Sequence, residues 1–243
     1  MPLELTGERT MPGVAHENYW FARHVAAYEL ALGRCKQARV LDAGCGEGYG
    51  TAMLGRVAAT VEGVELVPDV VAHARESYPG VVFTEADLCD LPHRPGAFDV
   101  AVSFQVIEHL PDVPRYLRET ARVLRPGGLF LCATPNRLTF TLGSDHPVNP
   151  FHEREFSGRE LGETLDDVFD VRAVLGLHHG WRIRTLERAA RRSLPELVLA
   201  RPPGEWPAWL RGVVAAVRPA DFVWRADHLD ASLDLMAVAR RRR

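Results

Sequence analysis

The stretch that decides the fold is Val40-Leu41-Asp42-Ala43-Gly44-Cys45-Gly46-Glu47-Gly48-Tyr49-Gly50. It continues a compact apolar run, residues 38–42, which predicts a first strand. Closely spaced glycines let the backbone turn tightly and approach a ligand with no Cβ atom in the way. Asp42 lies two residues ahead of Gly44, and Glu47 lies inside the turn. Two acids beside the turn disfavour a phosphate and favour a cationic ligand.

Outward from this turn, short β-branched runs alternate with stretches of helical spacing. We predict strands at 38–42, 60–65, 81–85, 98–103, 128–134, 169–175 and 232–239, and helices at 70–78, 114–124 and 158–165. Alternation of this kind is typical of an α/β protein, with a mostly parallel sheet covered by helices on both faces.

We expect the whole chain, residues 1–243, to form one domain. Its parts would be N-terminal cap helices at 1–36, a cofactor-binding core at 38–175, a substrate-side insertion at 176–231 and the last strand at 232–239.

Composition narrows the class of protein. The formal net charge of -3 does not favour a nucleic-acid partner. The sequence has no apolar stretch long enough to span a bilayer, and its polar start, residues 1–16, does not resemble a signal peptide, so we expect a cytoplasmic protein without a membrane partner. The four cysteines show neither zinc-ligand nor disulfide spacing.

The stretch VLDAGCGEGYG resembles motif I of the class I S-adenosylmethionine-dependent methyltransferases, and the resemblance extends over residues 38–136. A sulfonium that also carries an ammonium group suits the acids noted above. The resemblance implies a Rossmann-like, seven-stranded, mostly parallel sheet whose last strand is antiparallel. It also implies cofactor contacts from Asp42, Gly44, Gly46, Glu65 (ribose hydroxyls), Asp87 (adenine amino group), Leu88 and Phe104.

The residues after the fourth predicted strand, Gln105-Val106-Ile107-Glu108-His109, suggest a metal site. Some class I O-methyltransferases carry Glu-x-x-Glu-His here and bind a divalent metal with it, whereas this chain has Gln105 in place of the first Glu. His152, in PFHEREF, corresponds to a further metal ligand in the enzymes that methylate small RNAs. The resemblance therefore implies Mg²⁺ or Mn²⁺ held by Gln105, Glu108, His109 and His152.

The N-terminal segments, Gly7 to Gly13 and Glu17 to His24, resemble those of actinobacterial methyltransferases of polymethylated polysaccharide synthesis, the methylmannose polysaccharide 1-O-methyltransferase group. This implies a sugar or oligosaccharide hydroxyl as the methyl acceptor. Tyr19, Trp20 and Phe21 read either as an aromatic helix that closes over the cofactor, with Tyr19 as a contact, or as core packing.

Other functions stay open at this point. The acceptor hydroxyl could belong to an RNA ribose, a quinone or a phenol, and His152 or His109 could act as a general base without a metal. A nicotinamide oxidoreductase would need Gly-x-Gly-x-x-Gly, which Gly44, Gly46 and Gly48 do not match. A cofactor-binding regulator without turnover is a further alternative. The oligomeric state is open, and a homodimer is one candidate.

Overall fold

The computed structural model describes residues 10–141 and 146–243. Its strands are β1 Arg39–Ala43, β2 Thr60–Glu65, β3 Val82–Glu85, β4 Phe98–Phe104, β5 Leu124–Pro135, β6 Phe169–His179, β7 Phe222–Arg225 and β8 Asp234–Arg241. Its α-helices are α1 Asn18–Cys35, α2 Tyr49–Gly55, α3 Pro68–Ser77, α4 Val113–Val123, α5 Arg137–Phe140, α6 Gly158–Asp166, α7 Trp181–Ala190, α8 Leu194–Leu199 and α9 Ala208–Ala215.

Within the described ranges the strands form one eight-stranded sheet, in the order β3-β2-β1-β4-β5-β8-β6-β7. Neighbours among β1 to β5 pair in parallel, whereas β8 is antiparallel to both β5 and β6. The predicted α/β class, mostly parallel sheet and antiparallel last strand are confirmed.

The predicted count of seven strands is wrong, because β7 adds an eighth at the edge of the sheet. This strand is antiparallel to β6 and pairs with Gly176 to His179. The sequence places the end of β6 at residue 175, whereas the strand continues to His179. A run as short as Phe222–Arg225 has too few residues to show alternation, so its strand conformation depends on the edge that this extension of β6 offers.

The core lies on both faces of the sheet. On one face, α1 and α2 contribute Ala27, Tyr28 and Leu54, which pack with strand residues that include Val102. On the other face, α4 and α6 bury their apolar residues, such as Leu117, against the strands. Strands buried on both faces need near-continuous apolar runs, which explains the composition of β1, β4 and β5.

The helices of residues 176–231 pack against α1 and not against the centre of the sheet. Tyr19 and Ala22 of α1 share an apolar cluster with Leu194 of α8 and Trp206. The Asn18 side-chain amide donates hydrogen bonds to carbonyls at the C-terminal end of α9, including Val214 O at 2.9 Å. This pairing joins α1 to the later segment beside the carboxyl ends of the parallel strands.

Part of the N-terminal resemblance, Gly7-Glu8-Arg9, lies outside the described residues, as does most of the polar start. Among the described residues of the predicted cap, 10–36, the structure has one α-helix, α1. No helix in the described part of the chain combines the length and apolar character that crossing a bilayer requires.

Candidate active site

The glycine turn after β1 is built so that its backbone faces a cavity. Gly44 has φ +81°, and a Cβ atom there would lie 2.4 Å from Val106 Cγ2, which leaves room for glycine alone. Gly46 has φ +51°, and a Cβ atom there would meet nothing within 4 Å. Because Gly46 lines the cavity, that Cβ would project into the space available to a ligand.

Glu65 ties the end of β2 to this turn. Its Oε2 accepts a hydrogen bond from the Gly46 backbone N–H at 3.1 Å. Its Oε1 accepts from the backbone N–H groups of Leu66 and Val67, at 2.9 and 3.1 Å. Asp87 is held similarly, since its Oδ1 accepts from the Cys89 backbone N–H at 2.8 Å. Both carboxylates are therefore oriented by the backbone before any ligand arrives.

The cavity at this turn, here called the cofactor cavity, has a volume of about 280 Å³. Six of the eight predicted cofactor contacts line it: Gly44, Gly46, Glu65, Asp87, Leu88 and Phe104. Its wall is rigid at Phe104, whose ring meets Tyr28 edge-on with a centroid distance of 4.9 Å.

Asp42 lies behind the cofactor cavity and does not line it. The side chain is fully buried and accepts hydrogen bonds from the Thr51 hydroxyl at 2.7 Å and from the Tyr28 hydroxyl at 3.3 Å. Burial raises the pKa of Asp42 to about 7. The carboxyl group thus joins β1 to the first turn of α2 and to α1, which holds the glycine turn between them.

Tyr19 also lies away from the cofactor cavity. It is fully buried, and its hydroxyl lies 2.8 Å from His179 Nε2. His179 Nδ1 lies 2.9 Å from a carboxylate oxygen of Glu187, so the Tyr19 hydroxyl donates to the opposite ring nitrogen. The two aromatic residues that follow Tyr19 lie in different places. Trp20 lines a second, larger cavity. Phe21 packs on Tyr49 with a ring-centroid distance of 5.0 Å.

A second, larger cavity of about 650 Å³, here called the acceptor cavity, adjoins the first. The lining residues that the two cavities share are Thr10, His24, Gln105 and His109. A ligand in one cavity therefore meets a ligand in the other at the end of β4, which is where ligands of open α/β sheets bind.

Glu108, His109 and His152 come together in the wall of the acceptor cavity, with their ligand atoms within 4.8 Å of one another. Glu108 is fully buried, and burial raises its pKa to about 8. Its Oε2 accepts from the Thr134 hydroxyl at 3.0 Å, whereas its Oε1 has no hydrogen-bond partner among the described residues. A buried carboxylate oxygen beside two imidazoles is a donor set that fits a divalent cation.

Hydrogen bonds set the orientation of both imidazole rings. His109 Nδ1 lies 2.8 Å from the Phe151 carbonyl oxygen, and His152 Nδ1 lies 2.8 Å from a carboxylate oxygen of Glu155. In the neutral rings both Nδ1 atoms therefore donate, and each Nε2 carries the lone pair. His152 Nε2 accepts from the Asn149 side-chain amide at 3.0 Å. A carboxylate behind the imidazole is the usual support of a metal-binding or proton-accepting histidine.

Gln105 lies where the two cavities meet and has φ +58°. Its amide nitrogen lies 3.3 Å from Asp234 Oδ1, which leaves the amide oxygen as its other polar atom. Asp234 is paired with Arg23, whose Nε donates to Asp234 Oδ2 at 3.0 Å. Sequence reasoning missed this buried ion pair, although an acid inside the apolar run SLDLMAVA was a signal for it.

Comparison with known proteins agrees with this geometry. A family model described as a methyltransferase domain matches residues 41–132. A Mycolicibacterium smegmatis protein named as a probable S-adenosylmethionine-dependent methyltransferase is 46% identical over 243 residues, covering 98% of this chain and 95% of that protein. A ubiquinone biosynthesis O-methyltransferase of Xanthomonas euvesicatoria is 36% identical over 170 residues, covering 60% of this chain and 69% of that protein.

Among solved structures, an S-adenosylmethionine-dependent methyltransferase from Mesorhizobium loti shares the fold, with a TM-score of 0.60, 21% identity, and coverage of 92% of this chain and 100% of that one. The extent of the mycobacterial match, together with the family model, identifies the family. The chain belongs to the S-adenosylmethionine-dependent methyltransferases.

Proposed function

We propose that this enzyme transfers the methyl group of S-adenosylmethionine to a hydroxyl of a sugar or oligosaccharide, with Mg²⁺ or Mn²⁺ holding the acceptor. The observation that carries the proposal is the cluster of Glu108, His109 and His152 in the acceptor cavity, with His109 reaching into the cofactor cavity as well. Such a cluster is suited to binding and activating a hydroxyl beside the methyl donor.

The lining of the cofactor cavity supports the cofactor part of the proposal. Gly44 and Gly46 let the donor approach the backbone, Glu65 and Asp87 accept hydrogen bonds from the ribose and the adenine, and Leu88 packs on the adenine ring. Phe104 forms the wall nearest the acceptor side. Asp42 supports the cavity from behind through Thr51 and Tyr28, whereas Tyr19 packs away from it against His179 and Phe222.

In the reaction, the carbon–sulfur bond of the donor breaks, a carbon–oxygen bond to the acceptor forms, and the hydroxyl loses its proton. The chain contributes mainly by holding donor and acceptor in line where the two cavities meet. Without a cation, His109, whose Nε2 carries the lone pair, takes the proton, and His152 supports the acceptor with its tautomer set by Glu155. With a cation on that lone pair, the proton would pass to solvent.

Glu108, His109, His152 and the amide oxygen of Gln105 would hold the cation. When bound, the cation would make a coordinated hydroxyl more acidic. The buried Oε1 of Glu108 supports this assignment, because a buried carboxylate oxygen without a hydrogen-bond partner costs free energy that a cation would recover.

The lining of the acceptor cavity favours a sugar. Trp20 is half-buried and offers aromatic surface on which the apolar face of a pyranose can pack, and Arg23, Asn149 and Asp234 offer donors and acceptors for hydroxyls. An RNA ribose fits less well with a net charge of -3.

A phenol or quinol is the second candidate acceptor, because the ubiquinone biosynthesis O-methyltransferase is similar over 60% of this chain. A planar ring would also pack on Trp20. In that case His109 or His152 could act as the general base without a cation. For either acceptor we propose action in the cytoplasm on a small molecule or oligosaccharide, with neither nucleic acid nor a membrane as partner.

The test is calorimetric titration of Mg²⁺ and of Mn²⁺ into protein saturated with S-adenosylhomocysteine. We expect binding to the wild type and its loss in His152→Ala. The matched control is His73→Ala on α3, since His73 lines neither cavity. Transfer of a labelled methyl group to a panel of sugars and catechols then identifies the acceptor class. The absence of cation binding to the wild type would reject the metal site and leave the histidine base.

A further inference from the structure

The acceptor cavity combines buried charged side chains with exposed apolar ones. Glu108 is 0% and Asp234 is 3% exposed in its buried wall, which also contains the apolar Val198 and Trp206. At its solvent edge, beside the exposed His16 and Arg201, Val148 is 65%, Phe151 is 44% and Leu199 is 70% exposed. Buried charged groups and exposed apolar side chains in one cavity suit a ligand that has both a polar and an apolar part.

The apolar edge, here called the rim, comes from two separate segments. Val148 and Phe151 lie in the segment before α6, and Leu199 ends α8. Single exposed apolar side chains are ordinary, but these converge on one opening, and that convergence indicates a binding surface. Arg201 lines the same cavity and is exposed, and the aliphatic stem of an arginine can extend an apolar surface while its guanidinium stays in water.

We propose that the acceptor is an amphiphile: a hydroxylated head enters the polar inner end, and a single alkyl tail leaves across the rim formed by Val148, Phe151 and Leu199. The inference rests on the proposed function and names its substrate class more narrowly. The tail is assigned to the acceptor itself because the rim residues line the same cavity as Glu108, so an occupant bound at the inner end must pass over them on its way out.

Octyl β-glucoside and methyl β-glucoside test the proposal, since the two share a head and differ in the tail. Both are offered as acceptors below the micelle concentration of the octyl compound, with the methyl donor in excess. We expect kcat/KM to be at least about tenfold higher for octyl β-glucoside than for methyl β-glucoside. Burial of only two methylene groups of the tail would strengthen binding by about that factor. Equal values for the two glucosides would overturn the proposal.

Substitutions locate the effect on the rim. We expect Val148→Ser and Leu199→Ser each to lower the octyl-to-methyl ratio of kcat/KM by about threefold or more, the effect of about one buried methylene. Val82→Ser is the matched control: Val82 is 57% exposed, against 65% for Val148, and lines neither cavity. It should leave the ratio unchanged. An equal fall in the ratio for Val82→Ser and Val148→Ser would contradict the rim.

A binding measurement separates this inference from the proposed function. Trp20 and Trp206 line the acceptor cavity, so their fluorescence reports occupancy whether or not a methyl group is transferred. The same alkyl comparison with catechol and 4-octylcatechol exchanges a sugar head for a phenol head. Tighter binding of both octyl compounds without methylation of the glucoside would reject the sugar acceptor and support the amphiphile. No octyl advantage in binding for either head would reject the amphiphile.

Discussion

The two cavities differ in the burial and the hydrogen bonding of their acidic side chains. On the cofactor side, Glu65 is half-buried and Asp87 is exposed; both oxygens of Glu65 accept backbone hydrogen bonds, and Asp87 accepts one from Cys89. On the acceptor side, Glu108 is fully buried, and its Oε1 has no hydrogen-bond partner within the described residues. Folding supplies partners for the first pair, whereas Glu108 Oε1 is left for a ligand.

This difference separates residues that serve stability from residues that serve function. A buried polar group normally finds a partner in the folded chain, and an orphaned group costs free energy. Glu65 should therefore contribute to stability and to cofactor binding together. Glu108 should contribute to catalysis at some cost in stability, as is usual for strained or unsatisfied groups in active sites.

The largest expected effect is at Glu108. We expect Glu108→Gln to lower kcat by at least about 100-fold, because Glu108 is a ligand in the proposed metal site, and losing a ligand costs at least as much as losing a residue that supports one. Above about pH 8, where Glu108 is ionised, the unfolding temperature should stay the same or rise, since an amide is cheaper to bury than an unpaired carboxylate. Steady-state kinetics and thermal unfolding measure the two quantities. If the unfolding temperature falls in proportion to the loss of activity, Glu108 stabilises the fold, and the two cavities do not differ in the way described.

The second prediction concerns the glycine turn on the cofactor side. Gly44→Ala and Gly80→Ala both place a Cβ atom on a positive-φ residue, at +81° and +97°, but only the first meets Val106, since nothing lies within 4 Å at Gly80. We expect Gly80→Ala to destabilise by about 1–2 kcal/mol. Gly44→Ala should lose about 1–3 kcal/mol more through overpacking, and its affinity for S-adenosylhomocysteine should fall. Denaturant unfolding and calorimetry measure these changes, and equal destabilisation of the two variants would contradict the close approach.

The smallest expected effect is at Glu65. Glu65→Gln replaces one of two accepting oxygens by an NH₂ group that faces backbone N–H donors, so we expect a loss of about 1–3 kcal/mol in unfolding free energy. Cofactor affinity should fall with it. Glu85→Gln is the matched control, because Glu85 pairs with Glu65 in the register of β2 and β3 and is exposed. If Glu65→Gln weakens cofactor binding but leaves the free energy of unfolding unchanged, the backbone hydrogen bonds of Glu65 do not stabilise the fold.

Much of the sheet could be predicted from the sequence because its central strands carry near-continuous apolar runs. The strand predicted at 60–65 is β2 as observed, and the run at 98–103 is β4 within one residue. The run Phe222–Arg225 could not be predicted in this way, since it forms β7 only by pairing with the extended end of β6. Edge strands of four residues depend on their partner more than on their own pattern.

The candidate site shows the same division. The order of Gly44, Gly46 and Glu65 along the chain already indicated a ligand turn, because each lies at the end of a predicted parallel strand. The pairing of Arg23 with Asp234 spans 211 positions, and no local pattern connects the two residues. Burial drives that pairing, since neither charge could lie beside the acceptor cavity without the other.

The sequence by itself determined the α/β class and the glycine turn, because these depend on short segments whose periodicity and spacing are local. The methyl donor followed from the resemblance of those segments to a known family. The tertiary structure alone decided how close His152 lies to Glu108 and His109, that neither Asp42 nor Tyr19 lines the cofactor cavity, and that exposed apolar side chains stand at the opening of a cavity with buried charged groups. Those arrangements arise from packing between segments that are distant in the chain. Burial and hydrogen bonding decide which of these residues come into contact, and the local sequence does not show it.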